Sequence, residues 1–230
     1  MKRTANRLVT SLAVVTAGVF MALPASAGLV QLNSVADLTA DDSIQWSALG
    51  GDLTSLTPPT ALTTANSASA TLTGSSVFTV FLGSTYNADF AAGDTVVSAY
   101  DLNNGPLSTG IEIDFANPVY ALGALIQANA FGAFTGTLQA YDSSSTLLGT
   151  VTVNSTVLGS GSGAPFLGAS TTGNLIAKAV FSTDVAGAAI DTVSIQTSAP
   201  SSATPEPSAF VLMFSSVAAL GFGARRRFAR

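Results

Sequence analysis

The 230-residue sequence contains no cysteine and no histidine. Thiolate and imidazole metal sites, cysteine nucleophiles and histidine-based triads are therefore excluded, and so are disulfides, so a domain built from this chain must hold together through its core. Basic residues are nearly as scarce away from the ends. Lys2, Arg3 and Arg7 stand at the start and Arg225, Arg226, Arg227 and Arg230 at the end, which leaves Lys178 alone between them. Twelve of the thirteen acids lie in that middle stretch, giving it a net charge of −11. Nucleic acid, which is bound by lysine and arginine neutralising phosphates, is excluded as its partner.

What is present begins with a basic start, an apolar run over 8–23, then Pro24 and Ala25-Ser26-Ala27. This is the pattern of a secretory signal peptide, with Pro24 ending the helix and small Ala25 and Ala27 fitting signal peptidase, so cleavage is expected before Gly28. A retained N-terminal anchor is the competing reading, disfavoured by the short run and the well-placed cleavage site. The far end repeats the theme in reverse: Pro205-Glu206-Pro207, an apolar stretch over 208–224, then Arg225, Arg226 and Arg227. A helix of about seventeen residues covers roughly 25 Å, just enough to cross a hydrocarbon core. The arginines form a stop-transfer cluster that stays cytoplasmic by the positive-inside rule, which puts the acidic body outside.

A Pro-Glu-Pro triplet, an apolar helix and a terminal arginine cluster in that order resemble the PEP-CTERM sorting signal of Gram-negative bacteria. The family usually has valine before the triplet, where this chain has Thr204. The resemblance implies recognition and processing by an exosortase, with a transient stay in the inner membrane before passage to the cell surface or beyond. Pro205 and Pro207 favour an extended handle and Glu206 places one carboxylate at the outer membrane surface. A plain tail anchor is the alternative.

Between the ends, short β-branched or alternating runs recur at 44–49, 77–82, 95–100, 111–115, 119–127, 137–141, 147–153, 176–181 and 190–195, separated by turn residues. Ile111, Ile113 and Phe115 share one strand face while Glu112 and Asp114 share the other. No stretch of the body shows a capped helical period, so an all-β sandwich is expected over 28–197, followed by a Ser/Ala/Pro spacer over 198–204 and the sorting tail over 205–230. Asp142-Ser143-Ser144-Ser145 reads as a hairpin loop, and the Gly/Ser stretch over 159–163 as a flexible loop. Residues 111–125, 134–151, 166–168 and 189–191 also resemble the β-sandwich domains of other PEP-CTERM proteins, which implies a jelly-roll-like sandwich.

Chemistry is thinly signalled. Asp101, Asn103 and Asn104 precede Gly105 with the oxygen spacing of a calcium loop, but the EF-hand pattern fails at Gly105 and a turn is the simpler reading; Asp41 and Asp42 are further candidates for a structural calcium. Glu112 and Asp114 could pair for glycoside hydrolysis, against a plain solvated face. Trp46 and Tyr86 are candidate sugar contacts, with Tyr100, Tyr120, Tyr141, Asn87 and Asn104 behind them, although Trp46 also fits a core position. Serine and threonine lack a base to activate them, so no catalytic residue is named. The expectation is a non-enzymatic cell-surface or matrix protein without a cofactor. The alternative is a carbohydrate-binding module on exopolysaccharide, and a secreted hydrolase is a distant third. An exposed aromatic strip on a sheet face would favour the module.

Overall fold

The computed structural model describes residues 28–86, 89–159, 163–173 and 175–199. The expected signal peptide with Ala25 and Ala27, the Pro205-Glu206-Pro207 triplet, the apolar helix and the cluster Arg225, Arg226 and Arg227 lie outside the described residues, as do Asn87 and the centre of the Gly/Ser loop. Among the described residues the chain is all-β, with two 3-10 turns at Val35–Asp37 and Trp46–Leu49. No helix among them is long and apolar enough to cross a membrane.

Two antiparallel sheets make the sandwich. The larger runs β1 (Leu29–Leu32), β14 (Phe166–Thr171), β11 (Ala121–Gln127), β16 (Ala189–Ile190), β7 (Thr95–Ser98), β6 (Phe78–Leu82) and β3 (Thr54–Leu56). β17 (Val193–Gln196) also pairs with β11 and carries β2 (Asp42–Ile44) on its other side. The smaller sheet runs β13 (Leu147–Val157), β12 (Gly132–Tyr141), β15 (Ile176–Thr183), β10 (Ile111–Val119), β5 (Ser69–Thr73) and β4 (Thr60–Thr63). A short ladder joins β8 (Tyr100–Asp101) to β9 (Gly105–Pro106).

Alternation explains which side of the smaller sheet is dry. Ile111, Ile113 and Phe115 of β10 and Leu138 and Ala140 of β12 point into one core with Leu72, Phe78, Leu122 and Leu167, contributed by both sheets. Glu112, Asp114, Thr137 and Gln139 face outward by the same period of two. The expected hairpin loop after β12 is present: the Asp142 carboxylate accepts the Ser144 and Thr146 N–H groups at 2.8 and 2.9 Å. On the outer side of the larger sheet, Gly123 faces Gly168 across the ladder, and a Cβ at Gly123 would stand 2.3 Å from the Phe166 ring. That bare strip seats Phe166, which Leu32 and Leu38 then cover.

The expected run over 44–49 divides: β2 stops at Ile44, and Trp46 begins a 3-10 turn that tips its indole between the sheets. The runs at 137–141 and 147–153 prove to be parts of a longer hairpin, β12 and β13, spanning ten and eleven residues.

Candidate functional site

The sandwich hands the chain to the tail at the end of β17, and that exit is tied down. The Asp41 carboxylate accepts the Thr197 N–H at 2.7 Å, the Thr197 hydroxyl at 3.0 Å and the Ser198 N–H at 3.0 Å. Burial pushes the Asp41 pKa up, but the hydrogen bonds from Ser198 and Thr197 outweigh it and hold the carboxyl down at about 2. The next residue works in the opposite direction along the chain. Asp42 accepts the Thr64 hydroxyl at 2.5 Å and the Asn66 N–H at 2.9 Å, fastening β2 to the β4–β5 hairpin of the other sheet. Both carboxylates considered as calcium candidates therefore spend their oxygens on the fold. Sequence reasoning noticed the Asp-Asp pair but not this task, because Asp41 and Thr197 are 156 positions apart.

Asp101 is likewise occupied locally. Its carboxylate accepts the Asn103 N–H at 2.8 Å and a short hydrogen bond from the Asn104 carboxamide, which closes the β8–β9 turn. These bonds hold the Asp101 carboxyl below the usual carboxylate range. Asn103 contributes its main chain to that turn.

Trp46 and Tyr86 require correction as sugar contacts. Trp46 is 0% exposed, and its indole N–H donates to the Asp191 carbonyl at 2.6 Å. Tyr86 is 3% exposed, its hydroxyl donating to the Gly187 carbonyl at 2.6 Å, and burial pushes its pKa up. It packs with Phe81 and Phe90 in a cluster separate from the main core. Neither ring can stack on a ligand without opening the fold. Their polar atoms have found partners, as buried tryptophan and tyrosine require.

The outer face of the smaller sheet collects the charged residues the sequence had separated. Lys178 sits in register with both Tyr141 and Asp114, its ammonium 3.5 Å from Glu112 and 4.8 Å from the centre of the Tyr141 ring. The Thr73 hydroxyl lies within hydrogen-bond distance of Glu112 at 3.2 Å and of Asp114 at 3.0 Å. Glu112 and Asp114 thus share a neighbour on an open sheet face, the solvated arrangement weighed against glycoside chemistry. Tyr141 is half-buried, and no exposed aromatic strip appears on this face among the described residues.

A site that sequence reasoning missed lies at the end of the β12–β13 hairpin. A groove of about 390 Å³ is lined by Thr135, Asn154, Ser155, Thr156 and Asp184. One oxygen of Asp184 accepts the Thr135 N–H at 2.7 Å, and the Thr135 hydroxyl donates to the Asn154 side-chain carboxamide oxygen at 3.1 Å. These bonds leave the second Asp184 oxygen and the Asn154 NH2 facing solvent. Phe131, 62% exposed, stands just ahead of β12 at the same end of the hairpin, with its ring against Gly159 and not among the groove's lining.

Residues 203–227 match the model of the PEP-CTERM protein-sorting motif. A comparison with curated proteins returned no match. Among solved structures, a DUF4465 family protein from Bacteroides caccae is 12% identical, with a TM-score of 0.37 over 74% of this chain and 100% of that one. The module CsCBM6-3 from Clostridium stercorarium, solved with cellobiose, is 16% identical, with a TM-score of 0.23 over 74% of this chain and 94% of that one. With TM-scores this low, neither likeness bears on what the chain does.

Proposed function

We propose that this chain is an exported, non-enzymatic cell-surface or extracellular-matrix protein, a jelly-roll-like sandwich delivered by a signal peptide ending at Ala27 and sorted by an exosortase acting on its tail. The observation that carries the reading is the PEP-CTERM motif over residues 203–227. It follows directly on a domain whose last strand Asp41 holds in place. Such a motif implies exosortase processing, and proteins that carry it are exported and sorted to the cell surface. The non-enzymatic part is supported by a chain without histidine or cysteine and by outer-face carboxylates that lie on an open sheet rather than in a cleft.

Intact mass of the protein recovered from the cell exterior tests this. The mature form is expected to begin at Gly28 and to lack Ser208 to Arg230. Replacing Pro205, Glu206 and Pro207 together by alanine keeps the hydropathy and the arginine cluster, so insertion should persist while processing stops. A variant processed like the wild type would overturn the sorting reading.

The groove favours a second reading, a carbohydrate-binding module on the producer's exopolysaccharide. Neutral sugars are held by carboxylate and carboxamide groups that accept from and donate to neighbouring hydroxyls, with an aromatic face beside them. Asp184 and Asn154 in the groove offer the polar part of that set, and Phe131 is an exposed ring at the same end of the hairpin. Calorimetric titration with exopolysaccharide fragments should give saturable binding that Asp184→Ala and Phe131→Ala each weaken at least tenfold. Binding unchanged in both variants, or absent in the wild type, would remove this reading.

A further inference from the structure

Strand β10 carries a bulge beside the exit of β17. It keeps register with β15 up to Asp114 and resumes it only at Val119, so Asn117 and Pro118 leave that ladder. Bulges re-aim side chains beside functional sites. Here the bulge borders a cavity of about 100 Å³: β2 and β17 contribute Asp42 and Ile195, β10 contributes Phe115 and Val119, and Ala68 joins them from the turn before β5. Its size decides what can enter. A drug-sized ligand takes about 300 Å³ or more and a benzene ring about 150 Å³, so a sugar or aromatic ring is too large and a slender chain is not.

Asp42 stands in this lining at 8% exposure. Its Oδ1 accepts the Ser43 and Asn66 N–H groups at 2.8 and 2.9 Å, and its Oδ2 accepts the Thr64 hydroxyl at 2.5 Å. A carboxylate has about four acceptor positions, so Oδ2 keeps one. One position is too few for a calcium shell of about six to eight oxygens, and enough for one N–H of a cation. None of the three donors is charged, although a buried carboxylate is ordinarily matched by a positive group. The body has no such group to give. Lys178 is the single basic residue between Arg7 and Arg225, and it pairs with Glu112 on the outer face of the smaller sheet.

We infer that this cavity binds a primary alkylammonium group at the end of an unbranched chain, supplied by another molecule. Ala68, Phe115, Pro118, Val119 and Ile195 give apolar walls for the methylene stem, as a lysine stem is ordinarily covered, and Asp42 receives the head. Ser69, Asn117 and Thr197 place further oxygens in the lining for the remaining ammonium N–H groups. A guanidinium fits less well, because its planar fork is matched by a carboxylate with both oxygens open. The net charge of −11 draws a cation toward the body, and the cavity selects which cation stays.

Amide spectra of the full chain, kept in neutral detergent for its apolar ends and titrated with n-butylammonium at physiological salt, test this. Saturable shifts are expected at Ser43 and Asn66, whose N–H groups bond Asp42, with a millimolar Kd. Neutral n-butanol and n-butylguanidinium should each bind at least tenfold more weakly. Asp42→Asn should weaken n-butylammonium at least tenfold. Because that change also loosens the β4–β5 hairpin, Ala68→Leu serves as the second variant: it fills the cavity, leaves Asp42 in place and should give the same loss. Acetyllysine amide and a linear diamine carry the same group on a peptide and on a free amine, and the tighter binder identifies the source. Three results would each sink the inference. The first is the absence of saturable shifts at Ser43 and Asn66. The second is n-butanol binding as tightly as the amine, which makes the cavity merely apolar. The third is a set of shifts spread over exposed carboxylates such as Asp37 and Asp52 and unchanged in Ala68→Leu, which means that net charge alone attracts the amine.

Discussion

The β2–β17 ladder carries an aspartate at each end, and the two ends treat it in opposite ways. At one end the chain leaves the ladder toward the tail, and the exposed Asp41 is held down at about 2 by donors from Thr197 and Ser198. At the other end Asp191 is half-buried, its carbonyl bonded to Trp46 and its carboxylate to the Leu125 N–H. Burial pushes it up to about 7, with the Leu125 N–H at 2.7 Å pulling it back and the charge of Asp94 adding to the rise. The same side chain is thus a clamp where water and donors surround it and a liability where they do not. At the core end apolar burial around Trp46 holds the ladder, and at the exit end the Asp41 hydrogen bonds add to the burial of Ile195.

The largest test of that contrast removes the indole. Trp46→Ala deletes a fully buried side chain and leaves the Asp191 carbonyl without its donor. A cost of about 3–5 kcal/mol is expected, read as a lower urea midpoint with little change in slope. A cost under about 1 kcal/mol would mean that the sheets close over the gap and that Trp46 does not anchor this end.

The next effect concerns pH. A carboxyl whose folded pKa is about 7 against an ordinary 3.8 binds its proton more tightly folded than unfolded. Its favourable contribution is therefore complete below pH 3.8 and lost as pH rises through 7, a change on the order of 2–4 kcal/mol. Urea midpoints should fall between pH 4 and pH 8 in the wild type and stay nearly level in Asp191→Asn, which cannot ionise. A slope that survives the substitution would assign the pH dependence to another group.

Much of the fold was readable where neighbouring residues carry the signal. Alternation at 111–115 correctly assigned Ile111, Ile113 and Phe115 to the core, and Asp142 marked its hairpin. Short strands such as β4 and β5 were not recognised, because Thr-Ala-Leu-Thr and Ser-Ala-Thr-Leu-Thr resemble loop composition until a neighbouring strand supplies the pairing. Tyr86 misled for a related reason. It stands in a loop without periodicity, and its burial is made by Phe81, Phe90 and the Gly187 carbonyl, the last 101 positions away. The candidate groove was hidden by the same distance effect, since Asp184 reaches Thr135 from the far end of β15.

Asp41 gives the smallest effect and the most local one. Its folded pKa of about 2 lies below 3.8, so its contribution is present above pH 3.8 and lost as pH falls through 2, opposite in sign to Asp191. The carboxylate is exposed and screened, which limits its worth to about 1 kcal/mol despite the three hydrogen bonds it receives. Asp41→Ala removes those acceptors and touches nothing between the sheets. Amide exchange at Thr197 and Ser198 should accelerate about fivefold, the factor that 1 kcal/mol allows, while Leu125 and Asp191 keep their protection. Global unfolding should shift by only a few degrees. If exchange at Leu125 and Asp191 rises equally, the two ends of the ladder open as one unit and the exit is not an independent clamp. If the change is confined to the exit, Asp41 is an independent clamp on the end of β17.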